Sequence, residues 1–128
     1  FPDFQPHFYG LFSAAKIMEL CIRSGLTLDQ ACTELPAHTY HHLQLPCPWE
    51  SKGGLMRRMS EDAVDQCATF TDGVRIDSER GWVLVLPDQH RPVAHIFVEA
   101  AEQSDADELR DTYQAKVSVW LEELANNE

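Results

Sequence analysis

The sequence is short of basic residues. Ten Lys and Arg stand against 21 Asp and Glu in 128 residues, a formal net charge of −11. A chain that acidic repels a phosphate backbone, which excludes nucleic acid as a partner. It also lacks a long apolar run, so no membrane span is expected, and no signal peptide is visible. Cysteines are few, and Cys21, Cys32, Cys47 and Cys67 form no C-x-x-C pair and no zinc spacing. They read as reduced thiols of a cytoplasmic protein, with Cys21 and Cys32 on apolar helix faces and therefore in the core. Also missing are G-x-G-x-x-G, the Walker A loop, H-E-x-x-H and G-x-S-x-G. No carboxylate pair stands apart from the solvated acids, so no catalytic residue is assigned. His41 and His42 are adjacent on an extended segment and point to opposite faces, which argues against a metal site.

What is present is organised around residues 81–100, GWVLVLPDQHRPVAHIFVEA. Trp82 to Leu86 is an apolar run rich in aromatic and β-branched residues. From Val93 to Ala100, Ala94, Ile96, Val98 and Ala100 share one face, and His95, Phe97 and Glu99 the other. Both segments read as strands. Pro87 and Pro92 frame the loop between them, and each removes a backbone donor and fixes φ. The expectation is a β-hairpin with a stiff polar tip, Asp88, Gln89, His90 and Arg91, as the candidate ligand-binding loop.

Around the hairpin the pattern predicts a helix from Phe8 to Arg23 ended by Gly25, apolar enough to need cover on more than one side. Thr27 and Gln30 form a capping box for a short helix ending near Pro36, giving an αα-hairpin. Residues 37–48 are extended, and Pro46 and Pro48 make them an edge strand or linker. Ser51 caps a helix running through Leu55, Met59, Ala63, Val64 and Cys67. Its first turn, with Lys52, Gly53 and Gly54, is a candidate anion site. Asp72-Gly73 turns into a strand at Val74–Asp77. Ser104 and Asp107 form a capping box for a last, acidic helix carrying Leu109, Tyr113, Val117 and Leu121. The sum is an α+β fold: an antiparallel four-stranded sheet with two helices on one face, preceded by the αα-hairpin. The main boundary falls after residue 37, between segments 1–37 and 38–128.

D-G-V-R-I-D at 72–77, G-W-V-L-V at 81–85, the proline-framed loop and V-E-A at 98–100 together resemble the C-terminal domain of the phosphoglucomutase/phosphomannomutase (α-D-phosphohexomutase) family. The resemblance covers roughly residues 38–126 and implies a TBP-like C-terminal domain in a protein of carbohydrate metabolism. Residues 1–37 would then be the helical remnant of the preceding mutase domain. FPDFQPHFYGLFSAAKIMEL and C-P-W-E-S-K-G-G-L-M-R-R-M resemble the branch in which a mutase-like region follows a sugar-phosphate nucleotidyltransferase, such as a mannose-1-phosphate guanylyltransferase.

In that family the loop reads R-P-S-G-T-E-P and grips the substrate phosphate, while the phosphoserine and magnesium loops lie in earlier domains. The resemblance therefore implies no cofactor in residues 1–128 and magnesium in the parent protein. Here Leu86 stands for the arginine, Asp88 for the serine, Gln89 for the glycine, His90 for the threonine and Arg91 for the glutamate. A bidentate clamp is lost and a negative charge is placed where a phosphate would sit. The expected role is a degenerate phosphate loop in a structural, regulatory or oligomerising domain. The alternatives are a working phosphosugar lid that uses Arg91 and His90, and a plain interaction module. Expected partners are a sugar phosphate, the preceding domains of the same chain, and a second copy through Phe8–Arg23.

Overall fold

In the computed structural model, which describes residues 9–126, nine elements follow one another. They are α1 (Gly10–Ser24), α2 (Leu28–Thr33), β1 (Thr39–Pro46), α3 (Ser51–Asp62), β2 (Cys67–Thr69), β3 (Val74–Ser78), β4 (Gly81–Pro87), β5 (Val93–Ala100) and α4 (Gln103–Ala125). The chain divides into two units between Pro36 and Ala37.

The first unit is the helix pair. Gly25 adopts φ 71° and its N–H reaches the Cys21 carbonyl, closing α1 as a left-handed cap does. The Thr27–Gln30 capping box is formed in both directions: the Gln30 N–H donates to Thr27 Oγ1 at 3.3 Å, and the Thr27 N–H to Gln30 Oε1 at 2.8 Å. Neither helix has a buried residue. Leu11 is 88% exposed and Ile22 81%. Cys32 is exposed and Cys21 half-buried, so the expectation that both are core residues fails. Their apolar stripe is real, but among the described residues of this unit nothing buries it. Phe8, the expected first helical residue, lies outside the described residues.

The second unit is a five-stranded antiparallel sheet in the order β1-β5-β4-β3-β2. Helices α3 and α4 pack on one face. Leu55 and Met59 of α3 and Tyr113, Val117 and Leu121 of α4 meet Val74, Ile76, Val83, Val85, Ala94, Ile96 and Val98. Most of these are fully buried, and this is the stabilising core. Gly54 allows the two helices to approach: a Cβ there would lie 2.6 Å from Leu124 Cδ2. Gly81 has φ 153° and makes the tight β3–β4 connection, where a Cβ would come within 2.3 Å of the Glu99 carbonyl oxygen.

Alternation in β5 is as the sequence predicts, and β1 is an edge strand, which is why Pro46 is tolerated at its end. Four expectations need correction. The sheet has five strands and not four. Helix α3 stops at Asp62, the chain turns through Gln66 N–H to the Ala63 carbonyl at 3.0 Å, and Cys67–Thr69 pairs with Arg75–Asp77. Val64 and Cys67 continue the helical spacing only by coincidence, and Val64 is exposed. Ser51 is the first residue of α3, buried and not its cap; the preceding Glu50 is already in the right-handed helical region. Ser104 makes no capping box either. Helix α4 starts at Gln103 after Glu102, with no side-chain cap, and Asp107 receives Gln103 Nε2 at 3.0 Å.

Candidate functional site

The hairpin tip is built by strand pairing carried past the first proline. Pro87 is the last paired residue of β4, opposite Ala94, and the Asp88 N–H then donates to the Val93 carbonyl at 3.0 Å. Pro92 has no N–H, but its carbonyl accepts from the Cys47 N–H at 2.8 Å, tying the far end of the loop to β1. Cys47 is fully buried, and burial pushes its thiol above the usual range.

Between these anchors the loop closes on Asp88. One carboxylate oxygen, Oδ1, accepts the backbone N–H groups of His90 at 2.8 Å and Arg91 at 2.9 Å, as an Asx turn does. The other, Oδ2, accepts Arg91 Nε at 3.0 Å and His95 Nε2 at 2.9 Å. The Asp88 side chain is only 12% exposed. His95 first, then the His90 amide and Arg91, hold its carboxyl well below the usual carboxylate range. From α3, Lys52 Nζ donates to the carbonyls of Asp88 and Arg91, each at 2.6 Å, while lying 3.4 Å over the Trp49 ring. The loop therefore supplies its own anion to its own donors.

His95 extends the arrangement across the sheet. It projects from the face opposite the helices, next to Gln44 of the paired strand. Its Nδ1 lies 2.9 Å from His42 Nε2. The His42 ring in turn stacks on Phe97, centroids 4.3 Å apart and planes 12° from parallel. Partial burial, then the charges of His95 and Arg91, push the His42 pKa below its ordinary value. A continuous line of polar contacts thus runs from the tip, through His95, to the edge strand. Beside it Leu86, Pro87, Asp88, Gln89, His90 and His95 line a shallow pocket of about 290 Å³.

The structure brings Asp88, His90, Arg91 and Lys52 together and puts Gln89 on the pocket wall. It does not bring Gly53 and Gly54 with them: Gly54 faces Leu124 in the α3–α4 contact, and Lys52 turns away from its own helix start toward the loop carbonyls. Sequence reasoning missed His42, His95 and Trp49. The alternation of β5 does put His95 on the open face, but its neighbour appears only once β1 is paired to β5 in register. Among the described residues no group of three His, Cys, Asp or Glu is placed to hold a metal ion.

Comparison with known proteins gives the setting. No family model matches the chain. The "Probable phosphoglucosamine mutase" of Methanopyrus kandleri is 36% identical over 118 residues, 90% of this chain and 26% of that protein. The corresponding protein of Methanococcoides burtonii is 34% identical over 98 residues, 75% of this chain and 22% of its own length. That of Thermococcus kodakarensis is 30% identical over 121 residues, 89% of this chain and 26% of its own. The homologues are thus phosphoglucosamine mutases of the phosphohexomutase family, and this chain spans about a quarter of their length. Their names speak of a mutase and not of a nucleotidyltransferase.

Proposed function

We propose, from its kinship with phosphoglucosamine mutases, that this chain is the C-terminal part of a phosphohexomutase-like protein of sugar-phosphate metabolism. In this reading residues 38–128 correspond to the mutase C-terminal domain, and the tip loop does not clasp a phosphoryl group. The domain then serves a structural, regulatory or oligomerising role and is not catalytic by itself. The observation that carries the reading is the Asp88 carboxylate on the amides of His90 and Arg91. Two anions cannot share those donors, and the one already there is covalently attached and paired with Arg91 and His95.

A second reading, a phosphosugar lid of an active mutase, draws on one feature. The Arg91 side chain is 56% exposed beside the pocket and could turn to an incoming phosphate if Asp88 let go. Titrating the 15N-labelled chain with glucosamine 1-phosphate, mannose 1-phosphate or glucose 1-phosphate separates the two. Amides 88–92 that stay silent to millimolar ligand support the closed loop, and saturable shifts there support the lid.

The wider protein is proposed to be cytoplasmic and to use magnesium in regions other than this one. A fused nucleotidyltransferase rests on the sequence resemblance of residues 1–20 and 47–59, and the coding stretch upstream of Phe1 tests it. Self-association through α1 draws on its exposed Leu11, Met18 and Ile22. Sedimentation velocity should then show a dimer that Leu11→Glu with Ile22→Glu converts to monomer. A monomeric wild-type chain at 100 µM contradicts it.

A further inference from the structure

We propose that His42, His95 and Asp88 form a proton-linked latch between the edge strand β1 and the hairpin tip, closed at neutral pH and released in mild acid. The inference rests on the closed loop of the function proposed above, with Asp88 on the His90 and Arg91 amides, and its test reads the histidine rings and not phosphate binding.

Donor and acceptor requirements fix where the protons are. The ionised Asp88 carboxylate only accepts, so the hydrogen in the 2.9 Å contact belongs to His95 Nε2. With His95 neutral, its Nδ1 is an acceptor, and His42 Nε2 must donate across the other 2.9 Å contact. The ring centroids are 5.1 Å apart, as two imidazoles joined edge to edge require. His42 Nδ1 is then the unprotonated end of the line. One proton taken up there leaves the line intact: the hydrogen between the rings belongs to either, and a single positive charge is shared next to Asp88. A second proton sets N–H against N–H across the same gap, and the bond must break.

The surroundings decide which ring leaves. His95 is buried and tied to Asp88, whereas His42 is exposed on the edge strand. The charged groups facing the pair favour the same outcome. Arg91 lies on the tip side, with Nη1 3.4 Å from Gln44 Oε1 of β1. Lys52 from α3 is committed to the loop carbonyls. On the β1 and β5 side stand Tyr40, Phe97 and Glu99, with Glu99 paired opposite Tyr40 and two residues beyond Phe97. His90 is exposed in the loop itself. Arg91 thus opposes charge on His42, while His95 stays bonded to the Asp88 carboxylate. In acid His42 leaves Phe97 and His95, and β1 loses its side-chain tie to the tip through His95.

The test is imidazole 15N NMR of the 128-residue chain from about pH 7.5 to 5, the span around an ordinary histidine. Near pH 7.5 the account expects His42 protonated on Nε2 only, His95 protonated on Nε2, and a scalar coupling across the His42–His95 hydrogen bond. As pH falls the coupling should vanish in the same step that moves the Arg91 amide. His42→Gln keeps a donor for His95 but does not titrate, so it should keep the neutral spectrum and lose that Arg91 step. His90→Gln should retain it. Rings that titrate independently, an Arg91 step that survives in His42→Gln, or one that disappears in His90→Gln would each overturn the latch. The ring measurement needs only wild-type protein, so a variant that fails to fold does not remove the test.

Discussion

The two faces of the five-stranded sheet are made from neighbouring residues of the same strands, yet they do different work. Toward α3 and α4, Ile96 and Val98 are fully buried in a dry apolar layer. On the opposite face, the His42 ring stacks on Phe97 and His95 joins it by hydrogen bonds to the tip, and Arg75 lies 4.2 Å over the Trp82 ring while pairing with Asp77. Period-two alternation thus separates stability from polar chemistry. A substitution on one face should be felt globally, and its neighbour on the other mainly locally.

The sharpest way to break that contrast is to truncate adjacent residues. Ile96→Ala should cost about 2–5 kcal/mol in urea denaturation, because it opens a cavity under the helices. Phe97→Ala, half-buried on the open face, should cost about 1–2 kcal/mol. Equal losses would mean that the open face is a second core. Gly81→Ala tests the connection that sets the register of both faces. Its φ of 153° and the Glu99 carbonyl in the way predict a loss of about 1–3 kcal/mol by the same assay. Arg75→Ala removes an exposed ion pair and a cation–π contact, so about 0.5–1 kcal/mol is expected.

Proton linkage sharpens the comparison further. His42 titrates below its ordinary value of 6.5 in the folded chain, so in the window just beneath that value the unfolded chain binds more protons. Its contribution to stability is complete above 6.5 and declines as pH falls through the folded value. The urea midpoint should therefore drop in mild acid, by a margin that His42→Gln removes. Asp88 has the same sign at much lower pH, since its carboxyl is held below the carboxylate range. Asp88→Asn keeps an oxygen for the two amides but sets an N–H group against the donors of His95 and Arg91, so a lower urea midpoint at neutral pH and faster amide exchange at His90 and Arg91 are expected.

The sequence carried the dry face better than the polar one. Alternation in 93–100 and the helical spacing of Tyr113, Val117 and Leu121 identify core residues because burial repeats along the chain. The three residues of β2 are too few to alternate visibly, and they follow two apolar residues at helical spacing, so the fifth strand was hidden. Helix starts failed for a related reason. Ser51 and Ser104 have capping side chains in suitable places, but burial of the first and the onset of α4 at Gln103 override them. In the site, Asp88 could be seen to conflict with a phosphate. That it satisfies the loop's amides could not, because that depends on Asx geometry. His42 and His95 lie 53 residues apart and meet only through the β1–β5 register.

The central claim is that the anion seated on the loop amides is the protein's own carboxylate. A crystal structure of the chain grown from ammonium sulfate tests it directly. The account predicts Asp88 Oδ1 on the N–H groups of His90 and Arg91, with sulfate elsewhere. A sulfate ion on those two amides, with the Asp88 side chain turned out to solvent, would contradict it.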